Sequence, residues 1–391
     1  MLEIQKYLFT YGEEKAFAYF RDDLHLSVKE ATDGCRVLFK YDMIDSPLGH
    51  PICQEARGLI LDRRDNWKVI SWPFKKFFNL GEGHAAAIDL STARVLEKVD
   101  GTCITLYFWN GKWRLQTLGM IDGDGAVNNV FPPTTFAELF YRVLGLYPYG
   151  LSVVLNPKLS YTFELATPYN RIVTRYEKER IVLLSIRDME SLCELPDTEV
   201  VVEINYVLIA FNKVVGVAPT IELPRSYPIA LSSLSEVADL AAKLPQMDEG
   251  YVVVDAAFNR VKVKNPSYLA LLHLKEASSS SVKALVQLVL KNEGSEFLTY
   301  FPEFKEQYDR ISAAVNSLKG KLQEVWDATK HIEVQKDFAL AVTSSKVPFT
   351  GVLFNLRKGS IQSVSEGLAK TEPKHVVEAL KLEVEEAKDV V

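Results

Sequence analysis

Glu97-Lys98-Val99-Asp100-Gly101-Thr102 runs into Ile104-Thr105-Leu106-Tyr107-Phe108-Trp109, then Asn110-Gly111, then Lys112-Trp113-Arg114-Leu115-Gln116. Strand-forming residues flank Asn110-Gly111, a dipeptide that accepts the positive φ angles of a type I′ turn, so the stretch predicts a β-hairpin. A lysine therefore stands just ahead of a strand. It is followed by a carboxylate and by a glycine that lets another group approach the backbone. An amine attacks only when unprotonated, a state that burial or neighbouring cations favour. Five residues of this kind also fit a surface turn, and the chemistry needs further elements to support it.

Those elements follow in order. Tyr161-Thr162-Phe163-Glu164 places an acid at the end of an aromatic strand. Asp248-Glu249-Gly250-Tyr251 opens a second hairpin, Gly250–Asp255 with Val261–Lys264, whose alternation puts Lys262 and Lys264 on one face and Val261 and Val263 on the other. Upstream stand Ala56-Arg57-Gly58 and Lys75-Lys76-Phe77-Phe78-Asn79. A lysine nucleophile, acids able to hold a divalent metal, and several cations suit a triphosphate, whose developing charge they would stabilise.

The chain has 391 residues, 48% hydrophobic and 25% charged, with a formal net charge of −6. Length predicts two domains or three, and composition excludes whole-chain disorder. A polyanionic partner must meet a local basic patch. Four dispersed cysteines and six dispersed histidines exclude a disulfide framework and a paired-ligand zinc site. The start lacks the pattern of a signal peptide, and no apolar run reaches the roughly 20 residues of a membrane span. A soluble cytoplasmic protein is expected. Up to about residue 268 the chain reads as short strands; beyond it, Ile311, Val315, Leu318, Leu322 and Val325 form one helical stripe. The segment from Pro373 to Val391 reads as an amphipathic helix. The serines from Ser278 to Ser281 read as a helix separator or cap.

Together Lys98-x-Asp100-Gly101, Phe163-Glu164, Glu249-Gly250 and Lys262-x-Lys264 resemble motifs I, III, IV and V of the covalent nucleotidyltransferases. More closely, the chain resembles the type-1 RNA ligases of the T-even bacteriophages. Ala56-Arg57-Gly58, Lys76-Phe77-Phe78-Asn79, Asn170-Arg171-Ile172-Val173 and Ile181–Arg187 add to the likeness. The resemblance implies an α+β protein. A nucleotidyltransferase domain of antiparallel sheets and helices, similar to the ATP-grasp arrangement, spans residues 1–268. An all-α domain spans 269–391 and would specify the RNA substrate.

It also implies a three-step reaction. Lys98 takes AMP from ATP, AMP passes to an RNA 5′-phosphate, and a 3′-hydroxyl displaces it. The cofactors implied are ATP and Mg2+ or Mn2+. The partner is RNA with 5′-phosphate and 3′-hydroxyl ends, with broken tRNA the natural substrate, for a monomer in the host cytoplasm if viral. By the same resemblance Asp100 and Gly101 shape the nucleotide site and Glu164 contacts the ribose. Glu249 binds metal, and Lys262 and Lys264 hold the α-phosphate. Arg57 and Lys76 meet the β- and γ-phosphates, while Phe78 and Tyr268 match positions that the group needs for activity. One position departs: where type-1 ligases carry a basic residue before a glycine, Leu118 precedes Gly119, with Arg114 the nearest substitute on that strand.

Other readings remain beside these. Lys75 reads as solvated, Asp248 as a turn residue, and His50, His84 and His273 as structural. Tyr169 and Tyr176 read either as base-stacking or as core and rim aromatics. A catalytically silent nucleotide- or RNA-binding relative is the alternative function. A DNA ligase or capping guanylyltransferase would carry a strand-rich OB-type domain after Lys264, where this sequence turns helical.

Overall fold

The computed structural model describes residues 1–127, 132–196, 204, 221–229, 231–269, 281–300 and 304–382. The chain divides into two compact units, Met1–Asp42 with Ser46–Tyr268, and Met43–Asp45 with Leu269–Val391.

In the first unit the strands are β1 (Leu26–Glu30), β2 (Arg36–Tyr41), β3 (Arg57–Asp62), β4 (Lys68–Ser71), β5 (Phe78–Asn79), β6 (Arg94–Glu97), β7 (Thr102–Trp109) and β8 (Lys112–Thr117). They continue with β9 (Ala126–Val127), β10 (Thr134–Thr135), β11 (Leu159–Ala166), β12 (Arg180–Asp188), β13 (Glu194–Leu195), β14 (Ile221–Glu222), β15 (Ser226–Tyr227), β16 (Gly250–Val254) and β17 (Arg260–Lys264). Strands β1 to β4 form a meander. Its inner face packs Val37, Phe39, Leu59 and Leu61 against helices α1 (Glu3–Tyr11), α2 (Glu13–Asp22) and α3 (Pro51–Glu55).

The central sheet has the order β13-β12-β11-β7-β8, with β14 added in parallel on β12. Asn110 and Gly111 both have positive φ, 49° and 75°, as the predicted I′ turn requires. Alternation gives each strand two different faces. Ile104, Leu106, Phe163 and Leu165 enter the core beneath α4 (Phe136–Leu144) and α5 (Pro148–Val154), while Cys103 and Glu164 pair across strands on the other face.

The third sheet runs β15-β6-β16-β17-β5. Val95, Val253, Val261 and Val263 pack against α6 (Leu234–Ala241), whose Ser233 cap accepts from the Glu236 amide. The opposite face carries Leu96, Val252 and Lys262 in register. Antiparallel pairing dominates, and the unit is the expected α+β mixture.

In the second unit every regular element among the described residues is a helix: α7 (Ser281–Lys291), α8 (Gly294–Tyr300), α9 (Lys305–Thr329), α10 (Gln335–Ser344), α11 (Thr350–Arg357), α12 (Val364–Ala369) and α13 (Pro373–Leu380). The stripe Ile311, Val315, Leu318 and Leu322 is buried, with Val325 packed on the same cluster. His273, Ser278 to Ser280 and the last part of the expected terminal helix lie outside the described residues. Among the described residues no helix is long and apolar enough to cross a membrane.

Two glycines permit a close approach that the site depends on. A Cβ on Gly101 would overlap the Leu165 carbonyl. Gly250 has φ +136°, and its Cβ would meet the Val263 carbonyl and, at 2.8 Å, the Lys264 Cα. Gly250→Ala should therefore destabilise by about 2–4 kcal/mol, combining backbone strain with overpacking. Gly111→Ala, with nothing within 4 Å of its Cβ, should lose only about 1–2 kcal/mol from positive φ. Urea unfolding of both variants checks this, and equal losses would contradict it.

Candidate active site

The inner faces of the central and third sheets enclose a cavity of 260 Å3. Leu96, Val252 and Val254 wall it on one side and Leu184 and Ile172 on the other. Arg57, Lys98, Asp100, Gly101, Glu164, Glu249 and Lys262 all line it. An apolar slot with converging charged groups is the usual form of a small-molecule site.

Lys98 follows β6 directly, and its amide donates to the Gly250 carbonyl at 2.9 Å. The Lys98 Nζ lies 2.5 Å from Glu249 Oε1, with both side chains largely buried. Asp100 is fixed from several directions. One carboxylate oxygen accepts from the Val173 and Thr174 amides at 2.9 and 2.8 Å, and the Asp100 amide donates to the Tyr176 hydroxyl at 3.1 Å. Tyr268, fully buried, lies beside the same carboxylate, and burial pushes its phenol far above the ordinary range. Tyr268 thus touches no cavity wall but adjoins a residue that does.

Charge in the cavity is tuned by burial. Glu164 keeps some surface open to the cavity but lies deep enough that burial pushes its carboxyl up to about 8, against the pull of Lys98. Near neutrality it can therefore donate a hydrogen bond as well as accept one. Burial and then the charges of Lys98, Arg57, Lys264 and Lys76 hold the Lys262 amine well below its usual value. Its Nζ rests over the Phe77 ring at 4.9 Å, and the Arg57 guanidinium lies 5.4 and 5.5 Å from Phe74 and Phe77.

Among the described residues, two buried polar atoms of this site have no hydrogen-bond partner, Arg57 Nη1 and Glu249 Oε2. A buried donor and a buried carboxylate oxygen left bare are costly unless a ligand completes them. The first suits a phosphate oxygen and the second a cation. No cluster of three or more His, Cys, Asp or Glu able to hold a metal occurs among the described residues. A lone carboxylate fits Mg2+ nonetheless, since that ion is commonly bound through one or two carboxylates plus substrate phosphates and water.

Not every expected residue reaches the cavity. Lys76 and Phe78 lie outside its walls, as do Lys264 and Tyr268. Leu118 does line it, and Arg114 does not: that guanidinium sits 5.7 Å over Trp109 and 3.9 Å from Asp122. Asp248 lies in a turn, its amide bonded to the Pro245 carbonyl. His50 caps α3, accepting from the Ile52 amide. Tyr169 sits beneath Arg142 at 5.0 Å, outside the cavity. Glu97, Arg260 and Glu194 line the cavity without having been singled out. Arg260 shares the face of Lys262 on β17, a signal present in the alternation. Glu194 pairs with Arg187 across the β12–β13 hairpin and with Arg260 from the distant β17, and the second pairing leaves no local signature.

The sequence model of the T4-type RNA ligase family matches residues 55–268. The chain belongs to that family. This RNA ligase is 29% identical over 323 residues to an RNA ligase of Rhodothermus phage RM378, covering 70% of this chain and 71% of that one. It is 26% identical over 380 residues to a putative bifunctional polynucleotide kinase/RNA ligase of Autographa californica nuclear polyhedrosis virus, covering 91% of this chain and 50% of that protein. A solved archaeal ATP-dependent RNA ligase is similar over 80% of this chain and 79% of its own, at 16% identity and a TM-score of 0.43.

The raised Glu164 value carries a pH dependence. The folded ligase binds that proton more tightly than the unfolded chain, so the stabilisation is complete at low pH and is lost as pH rises through about 8. Thermal melts of Glu164→Gln and the parent should diverge between pH 6 and 9, the parent losing more. Parallel curves would contradict the assignment.

Proposed function

We propose that this RNA ligase is ATP-dependent and seals 5′-phosphate to 3′-hydroxyl RNA ends through a lysyl-AMP intermediate on Lys98. One observation carries the reading: an apolar slot holds Lys98 in contact with Glu249, beside Arg57, Glu164 and Lys262. In the first step the Lys98 nitrogen attacks the α-phosphorus of ATP and the bond to pyrophosphate breaks. Lys98 must first release Glu249 and lose a proton, because its lone pair makes the new bond. Arg57, with its bare Nη1, and Lys262 face the charge that develops on the phosphoryl oxygens. Asp100, locked by the Val173 and Thr174 amides, shapes the nucleotide's seat. Glu164 offers the ribose a donor or an acceptor. A divalent cation held by Glu249 and the phosphates would neutralise charge in the transferring group.

The later steps pass AMP to the RNA 5′-phosphate and then release it as the 3′-hydroxyl attacks. Lys98 takes part in the first two steps alone. The substrate we infer is broken tRNA, handled by a monomer in the host cytoplasm, with residues 269–391 selecting the RNA. A second reading, a relative that binds nucleotide without sealing, is favoured by Leu118 in the cavity wall.

Ligation assays separate the two. With ATP and magnesium the parent should join 5′-phosphorylated RNA, and Lys98→Ala should lose this by at least about 1,000-fold, as loss of an essential nucleophile implies. The variant should still seal chemically pre-adenylylated RNA. A parent that binds ATP and joins nothing would favour the second reading. Deletion of residues after about 275 should spare transfer of AMP to the protein and alter the choice among RNAs. Unchanged RNA preference, or unfolding of the truncated protein, would contradict that division of labour.

A further inference from the structure

The turn that carries Lys98 is gripped at both ends by one residue, Arg180, which lines no part of the cavity. At the entry to the turn its guanidinium meets the Glu97 carboxylate at two points, Nη1 to Oε1 at 3.0 Å and Nη2 to Oε2 at 3.3 Å. At the exit the Asp100 amide donates to the Tyr176 hydroxyl, and the same guanidinium lies over the Tyr176 ring at 5.7 Å. Arg180 is itself fixed. It opens β12 opposite Ala166 of β11, and its Nε donates to Glu222 Oε2 of β14 at 2.8 Å. The side chains of Arg180 and Glu97 are only 21% and 18% exposed, so water competes weakly for the pair. A planar fork on a carboxylate sets orientation as well as distance. Lysine, by contrast, reaches out on a flexible four-carbon stem, so the aim of its nitrogen depends on a steady backbone beneath it.

We propose that Arg180 is a positioning residue that sets the aim of the Lys98 nitrogen, acting through Glu97 and Tyr176. The inference rests on the ligase reading above. In the first step the deprotonated nitrogen bonds the α-phosphorus of ATP as the bond to pyrophosphate breaks. In the second an oxygen of the RNA 5′-phosphate bonds that phosphorus, the P–N bond breaks, and its electron pair returns to the nitrogen, which takes up a proton. Both displacements need the nitrogen in line with the bond exchanged, and a misplacement of about 1 Å can cost about 100-fold. In the third step the RNA 3′-hydroxyl displaces AMP, and Lys98 neither makes nor breaks a bond. A brace for Lys98 therefore serves the first two steps and not the third. A residue that merely supports the fold would serve all three alike.

The test uses the full-length protein carrying Arg180→Gln, with the three steps measured separately. Transfer of AMP from ATP to the protein should slow by about 10- to 100-fold at saturating ATP, with the half-saturating ATP concentration within about threefold of the parent. Transfer from lysyl-AMP to 5′-phosphorylated RNA should slow similarly. Sealing of pre-adenylylated RNA should stay within about threefold, which also shows that the variant is folded. Arg180→Lys, which keeps the charge and loses the fork, should fall between the parent and Arg180→Gln. Glu97→Gln should slow the same two steps, and the double variant should be little slower than the slower single, because both changes release one brace. Equal slowing of all three steps, no slowing of any, or full addition of the two single effects overturns the proposal. A higher demand for ATP at an unchanged maximal rate assigns Arg180 to nucleotide binding and overturns it too. Should Arg180→Gln not fold, Arg180→Lys and Glu97→Gln carry the same comparison of steps. A parent that forms no lysyl-AMP defeats the ligase reading itself, a result visible before any variant is made.

Discussion

The contact between Lys98 and Glu249, 2.5 Å long and mostly sealed from solvent, is the constraint around which the first unit is arranged. Neither residue is placed by its own side chain. Lys98 leaves the end of β6, Glu249 precedes β16, and Tyr251 pairs with Glu97 while the Lys98 amide bonds the Gly250 carbonyl. Sheet hydrogen bonds thus set the separation of Lys98 and Glu249. Gly250 lets β16 pass against β17, and Gly101 lets the loop after Lys98 lie on the end of β11. The geometry of this pair and the sheet register are one object.

Around that pair the protein concentrates charge where burial makes it expensive. Burial and the neighbouring cations Lys98, Arg57, Lys264 and Lys76 disfavour the charged form of Lys262. Glu164 resists ionising because it is buried, despite Lys98 close by. Arg57 and Glu249 each keep a buried atom without a partner. Such a site forgoes stability when empty and recovers it when a polyanion and its counter-cation enter, which is electrostatic preorganisation in physical terms. Rigid support comes from behind, through Tyr268, Tyr176 and the 173–174 backbone around Asp100.

How much of this was legible depended on whether the cause was local. The Asn110-Gly111 turn, the alternation of Lys262 with Val261 and Val263, and the stripe from Ile311 to Leu322 each follow from a local rule, and each is found. The likeness at Lys98, Glu164, Glu249 and Lys262 marked residues that a single cavity brings together. Other features came from tertiary packing. Arg114 has the strand parity of Leu118 but is drawn to Trp109 and Asp122. Lys76 falls outside the cavity that Arg57 lines, and His84 stands beside Phe78, its ring 5.5 Å away. Glu194, already opposite Arg187 in its own hairpin, meets Arg260 only after two distant hairpins pack.

The central claim is that Lys98 forms a covalent bond to AMP. Its most direct test is intact mass, followed by peptide mapping, after incubation with ATP and magnesium without RNA, on protein first freed of any bound AMP by pyrophosphate. The account predicts one added AMP per chain, stable to alkali, labile to acid as a phosphoramidate is, and mapped to Lys98. Unmodified mass in folded protein, or AMP mapped to another lysine, would contradict it.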